Sequence, residues 1–262
     1  MTRTLLAVPA ALLLACGSAA PAAILFTGSY TQSFNTLQST PNVDANAGTA
    51  PAWTNDTTLP GWYGGGSQPL TAGYGVGDGS DNTMLGAGTV AVASFGSTGN
   101  SDRALAPLKR NTSAYIALAL TNDTGLTLSE ITVSYTGEQW RDNATQAAGL
   151  VGLDFAYQVG ATDITSGTWT DVNALDFVAP KTSNSGTLDG NLAANREAIS
   201  STITGLSLAG GQTIWLRWQQ RGSGNNGSYV AVDDLSLSSP IPEPASLLLA
   251  TVGGLLLLPR RR

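Results

Sequence analysis

Apolar and polar residues alternate with period two through much of the chain. Ile131, Val133 and Tyr135 fall on one side of an extended segment, and Thr132, Ser134 and Thr136 on the other. Val151, Leu153, Phe155, Tyr157 and Val159 repeat the pattern over five consecutive odd positions. Such alternation belongs to strands with one face on a core and one in water. Strands are predicted at 24–34, 89–95, 115–121, 130–136, 151–159, 168–172, 213–219 and 229–237. Residues 38–68 read as loop, rich in Thr, Asn, Pro and Gly, and 73–88 as turns around Asp78-Gly79-Ser80-Asp81-Asn82. Asn122-Asp123-Thr124-Gly125 is a hairpin-type turn, and only 191–199 has helical character. In the last strand the apolar parity changes between Val232 and Leu235, so an extra residue must be absorbed and a β-bulge is predicted at Asp233-Asp234. Many short strands with frequent turns predict an all-β chain, an antiparallel two-sheet sandwich of the jelly-roll kind.

The two ends follow other rules. Residues 1–23 carry Arg3, an apolar stretch from Leu5 to Ala15 and the small residues Ala20-Pro21-Ala22-Ala23, the order of a cleavable export signal. Leu13-Leu14-Ala15-Cys16-Gly17 offers a second reading, a lipoprotein box. At the other end, 240–262 opens with Pro242-Glu243-Pro244-Ala245-Ser246, continues as an apolar run and finishes in Arg260, Arg261 and Arg262. The basic end favours the cytoplasmic side of a membrane, with everything before Pro242 on the other side. The apolar segment at about 245–259 has 15 residues, short of the roughly 20 that span a bilayer as a helix. Pro-Glu-Pro-Ala-Ser, the Gly253-Gly254 pair and the arginine end resemble, in order, the PEP-CTERM sorting signal of bacterial exported proteins. That resemblance implies a short transmembrane helix, anchoring in the inner membrane, processing by an exosortase and delivery to the cell envelope or outside. Pro259 departs from the pattern, and a plain unprocessed anchor is the alternative.

Residues 24–239 remain as one domain of 216 residues, enough for a single well-formed core. The chain has no histidine, and its one cysteine, Cys16, lies in the export signal. This domain therefore has no means of forming an internal disulfide, a zinc site of the His/Cys type or a Ser-His or Cys-His nucleophile. Its eight basic and seventeen acidic residues give a net charge of −9, which repels phosphate backbones and argues against a nucleic-acid partner.

Phe34-Asn35-Thr36-Leu37, Leu59-Pro60-Gly61-Trp62, Ser101-Asp102-Arg103-Ala104-Leu105, Leu120 to Gly125, Ser134 to Arg141, Leu175-Asp176-Phe177, Leu188 to Asn191 and Ile214 to Trp218 follow one another in an order that resembles a lectin-like ectodomain of bacterial surface proteins. The resemblance covers nearly all of 24–239. It implies a β-sandwich accessory or surface module and no particular activity.

Four groups of residues have usable chemistry. Asp233 and Asp234, with Asp78, Asp81 or Asp189 brought near by the fold, would suit a hard cation such as Ca²⁺; solvated acids at a strand edge are the plainer reading. Trp62 and Tyr63, set among Pro60-Gly61 and Gly64-Gly65-Gly66, would stack on sugar rings or else plug an end of the sandwich. Glu138, Trp140 and Arg141 would line a saccharide-binding edge or tie down a loop, and Arg103, Arg196 and Arg217 have the same two uses. Glycoside cleavage needs two carboxylates astride a bond, but Glu130, Glu138 and Glu197, the glutamates of 24–239, form no E-x-D-x-x-E pattern. The expected function is structural or adhesive and non-catalytic, at the surface or in extracellular matrix, with weak contact to polysaccharide. A calcium-dependent carbohydrate-binding module is the alternative, and a glycoside-active enzyme the second alternative.

Overall fold

The computed structural model describes residues 23–81, 84–85, 88–110, 112–143, 149–183, 186–221 and 227–241. The sorting residues Pro242, Glu243, Pro244 and Arg260 to Arg262, with residues 1–22 of the export signal, lie outside these. Among the described residues no helix is long and apolar enough to cross a membrane.

The described chain forms β1 (Ile24–Phe26), β2 (Ser29–Gln32), β3 (Trp62–Gly66), β4 (Gly75–Gly77), β5 (Val90–Phe95), β6 (Ala104–Lys109), β7 (Ala114–Asn122) and β8 (Leu128–Asp142). It continues with β9 (Gly152–Val159), β10 (Thr170–Asp171), β11 (Phe177–Val178), β12 (Gly186–Thr187), β13 (Arg196–Leu208), β14 (Thr213–Gln220) and β15 (Tyr229–Ser238). One sheet has the order β1-β7-β14-β9-β10, with β3 also on β7 and β11 on β9. The other runs β12-β8-β15-β6-β5-β4, with β13 also on β8 and β2 on β15. The all-β sandwich predicted from the alternation is the fold.

Between the sheets lie the apolar sets that the alternation marked: Ile131, Val133 and Tyr135 from β8, and Leu153 and Phe155 from β9, all at most 2 % exposed. Burying each such side chain contributes roughly 1.5–3 kcal/mol of transfer free energy. The bulge also falls where the parity shift put it. Pairing of β15 with β8 slips between Asp233 and Ser236, and Asp234 takes φ +49°, so Leu235 and Leu237 return to the inner face beside Val232.

Four local expectations change. The first predicted strand breaks at Gly28 (φ +115°): β1 runs parallel to β7 in one sheet, and β2 pairs with β15 in the other. Asn122 to Gly125 joins strands of different sheets, so it is a crossing between layers rather than a hairpin. The Asn122 amide supports this crossing by donating to the carbonyls of Leu126 and Leu208 at 2.7 and 2.8 Å. The helical reading of 191–199 reduces to a single 3-10 turn at Ala193–Asn195, after which β13 begins. Finally, the stretches read as loop and turns each contain a strand, β3 at Trp62–Gly66 and β4 at Gly75–Gly77. Strands β5 and β6 are buried on both faces. Ala45, Met84 and Leu85 cover Ala91, Ala93, Ala104 and Ala106 on the outside of the eight-stranded sheet, where alanines leave room for a second apolar layer.

Candidate functional site

The fold withdraws the aromatic candidates from solvent. Trp62 is 0 % exposed on β3 and stacks on Trp218 at 5.7 Å between ring centroids. Phe34 meets it edge-on at 4.9 Å, and its indole N–H donates to the Tyr30 hydroxyl at 3.0 Å. Tyr63 points the opposite way, onto Trp215 at 4.5 Å, and is buried too. Burial, followed by the charge of Asp56, pushes its hydroxyl up to about 12. A strand that carries glycines after Trp62-Tyr63 lets both rings fill space, and neither is available for a ligand.

Glu138, Trp140 and Arg141 are structural as well. Trp140 is 1 % exposed, lies parallel to Phe95 at 6.2 Å and donates its indole N–H to Glu138 Oε2 at 3.0 Å. Arg141 Nη1 donates to the carbonyls of Gly79 and Ser80 at 2.9 and 3.1 Å, fastening the loop before β5 to β8. Glu138 is 1 % exposed, and burial raises its carboxyl to about 7. This is no surface from which to reach a glycosidic bond. Glu130 lies on β8 opposite Thr204 of β13, and Glu197 on β13 opposite Gly137 of β8, so the two are seven positions apart along the ladder, roughly 23 Å at strand spacing and far too wide for a catalytic carboxylate pair.

The five aspartates of the calcium expectation do not make one ligand shell. Among the described residues no three acidic side chains come together as a metal site would require. Asp78 accepts hydrogen bonds from the Ser80 backbone and hydroxyl and from Thr98 Oγ1. Burial alone would raise its carboxyl, but these bonds outweigh that and bring it down to about 2. Asp189 accepts from Ser97 Oγ at 3.3 Å and from the Asn191 backbone. Asp81 shares a recess of about 240 Å³ with Asp44, whose carboxyl is raised by burial and by Asp81. Asp233 is 3 % exposed on the outer side of β15, and burial and the neighbouring acids raise it to about 8; Asp234 is exposed beside it.

A different surface carries usable chemistry: the outer face of the seven-stranded sheet. Register fixes what meets there. Tyr115 pairs with Gln219 and Gln219 with Asp154, while Arg217 lies between Ala117 and Ala156, and Asp171 lies beyond Ala156. Their chain neighbours Ile116, Trp218 and Phe155 all belong to the inner core, so Tyr115, Arg217, Gln219 and Asp154 point outward. The Arg217 guanidinium carbon sits 3.8 Å from the Trp169 ring centroid and 4.4 Å from that of Tyr115, a cation held between two rings. All three residues are partly exposed. Arg217 Nη1 donates to the Ile164 carbonyl at 2.9 Å, while its Nε is buried with no hydrogen-bond partner. Burial lowers this guanidinium from its ordinary value, against the charges of Tyr115 and Asp171. The Trp169 indole N–H donates to the Ser166 carbonyl at 3.0 Å, locking the ring in place. Alongside, Arg221 bonds both Asp154 and Asp176. The result is a partly exposed cluster of two rings and a guanidinium with amide and carboxylate groups around it. Arg217 was visible in the sequence as an ambiguous arginine, but Trp169 sits 48 residues from it, and nothing in the spacing joins them.

No family model matches the chain, and no curated protein does. Solved structures of similar layout include a xylan-binding domain of carbohydrate-binding family 22 from Paenibacillus barcinonensis, 10 % identical, covering 80 % of this chain and 92 % of its own, TM-score 0.36. A family 61 carbohydrate-binding module in complex with β-1,4-galactotriose is 12 % identical, covering 68 % and 88 %, TM-score 0.30. An adhesin domain of Lys-gingipain from Porphyromonas gingivalis is 12 % identical, covering 68 % and 92 %, TM-score 0.38. Similarity at this level does not say what this chain binds.

Proposed function

We propose that the chain is an exported, non-catalytic adhesive module that holds polysaccharide on the outer face of its seven-stranded sheet. The observation that carries this reading is the Tyr115–Arg217–Trp169 stack, partly exposed and flanked in register by Gln219 and Asp154. A pyranose ring presents a C–H patch that packs on an aromatic surface and a rim of hydroxyls that pair with amide, carboxylate and guanidinium groups. Such a surface holds a sugar chain without any step of bond cleavage. Export through 1–23 and exosortase sorting through 240–262 would bring the module to the envelope, and that part of the reading rests on residue order. Calcium has no assigned part in it.

The test is retention of the mature protein on a panel of insoluble and gel-immobilised polysaccharides. At least one glycan should retard the wild type, and Trp169→Ala or Arg217→Ala should abolish the retardation while leaving the melting transition cooperative. A protein that no glycan retards, or one retarded equally after both substitutions, would refute the reading. Intact-mass measurement of the mature chain checks the sorting half, since processing near Pro242 must remove the arginine end.

A further inference from the structure

Open sheet edges template pairing with other chains, and folded proteins keep them short, bulged or charged. Here the edge strands β4, β10, β11 and β12 have three, two, two and two residues, and β3 is glycine-rich. Strand β13 is the exception. It has 13 residues and pairs continuously with β8 from Arg196 to Thr204, and among the described residues no strand pairs along its other side. From Ala198 to Leu208 it contains no charge and no proline. Arg196 and Glu197 put charge at the start of the run and the 3-10 turn at Asn173–Leu175 lies beside the strand, but from Ala198 to Thr204 it carries no charge, proline or bulge, until Gly205 (φ +72°) and the register shift beyond Thr204 end the regular pairing.

We propose that this edge is a self-association surface, on which two copies of the chain pair their β13 strands antiparallel about a twofold axis at Ser201. Side chains on β13 alternate. Ile199 and Ile203 turn inward, 7 % and 3 % exposed, while Ala198, Ser200, Thr202 and Thr204 face out. A twofold at Ser201 sets Ile199 opposite Ile203 of the second copy, so the two inner apolar rows continue into each other. It also sets Ser200 opposite Thr202. Within one copy Ser200 already bonds Ser134 at 2.7 Å and Thr202 bonds Thr132 at 2.9 Å, so the hydroxyl rows become ladders four strands wide. Arg196 and Glu197 fall opposite Leu206 and Gly205, where no like charge meets them. A twofold one residue earlier, at Ser200, would place Ile199 against Ser201 and lose the apolar match. Pairing of Ala198 to Thr204 with itself satisfies roughly six to eight backbone hydrogen bonds. It joins two modules into one bivalent particle, which gains avidity on any repeating ligand.

The experiment uses the full chain with Cys16→Ser, so that no native thiol remains, and reads oligomeric state by sedimentation together with disulfide capture. The wild-type edge should give a concentration-dependent dimer, and Ser201→Cys should oxidise to a covalent dimer faster than Ser200→Cys, because only position 201 faces its own copy. The double variant Ser200→Lys/Thr202→Lys sets lysines opposite lysines and should be monomeric with an unchanged melting curve, showing that the fold survived. Monomers at every accessible concentration would overturn the proposal. So would a dimer untouched by the two lysines, or capture at 200 in preference to 201.

Discussion

Glu138 and Asp233 give the most demanding test of the packing. They occupy neighbouring positions on the outer side of paired strands, since Glu138 lies opposite Ala231 and Asp233 two residues further along β15 opposite Thr136. At 1 % and 3 % exposed, both carboxyls are cut off from water. Burial raises Glu138 to about 7; the Trp140 hydrogen bond and Arg196 pull it down, while Asp102 and Asp234 push it up. Burial likewise raises Asp233 to about 8, helped by Glu138, Asp234 and Asp102, against the hydrogen bond from the Asp234 backbone. The asymmetry has a simple cause. Glu138 ionises first, facing a neutral Asp233, and Asp233 then has to ionise beside a charge. The unfolded chain releases these protons near ordinary carboxyl values, 4.5 and 3.8. Across the interval between, the folded state holds more protons than the unfolded one, so stability is present at low pH and is lost as pH rises. For Glu138 the loss amounts to about 3 kcal/mol by the time pH passes its folded value, and for Asp233 to about 5 kcal/mol or more. Urea unfolding followed by tryptophan fluorescence from about pH 5 to pH 8 reads this directly. Asp233→Asn keeps the acceptor oxygen for the Asp234 N–H and removes the titration. The variant should match or trail the wild type near pH 5 and overtake it near pH 8 by about 2 kcal/mol or more. A difference between the two proteins that stays constant with pH would refute the burial argument.

Two other outcomes separate core from site. Trp62→Ala should cost about 3–5 kcal/mol of stability in urea, the range for deleting a buried Trp, because Trp218, Phe34 and Tyr30 lose their shared partner; a loss of glycan retention with stability intact would instead place Trp62 on a binding surface. Adding calcium or a chelator should leave the thermal transition where it is, since Asp78, Asp81, Asp189, Asp233 and Asp234 do not converge, and a rise in transition temperature with calcium would contradict that arrangement.

The sandwich was legible because long strands with one wet face, such as β8 and β9, print their alternation in the sequence, and the bulge was legible because a parity change leaves the chain no other solution. Strand β6, buried on both faces, hid. Residues 104–109 read Ala-Leu-Ala-Pro-Leu-Lys, with small residues where polar ones would mark an outer face and a proline at 107, yet β6 pairs with β5 over that whole length. Strand β3 hid among glycines that are small for packing reasons. A Cβ on Gly64 would lie 2.6 Å from Val92, and one on Gly65 would lie 2.5 Å from Ile164. Composition marked these positions as loop, whereas close packing is what selects glycine there.

The same confusion inverted the roles of the aromatics. Sequence spacing placed Trp62, Tyr63 and Trp140 in loops or just past a strand, where a ring suggests bait, while Tyr115 and Trp169 passed as ordinary strand residues. In the fold, alanines at 117, 119 and 156 on the seven-stranded sheet, and at 91, 93, 104 and 106 on the other, leave shallow outer surfaces that large rings from elsewhere must fill. Tyr63 and Trp140 do so, and Trp62 closes the inner core. Tyr115 and Trp169 also pack against the edge of this outer layer, yet both stay partly exposed. What sets them apart is the guanidinium of Arg217, which packs against both. Exchange of Arg217 for methionine therefore discriminates between decoration and function: a purely structural stack would tolerate an unbranched apolar stem with stability and glycan retention unchanged, whereas a sugar-binding stack would lose its ligand with no loss of stability.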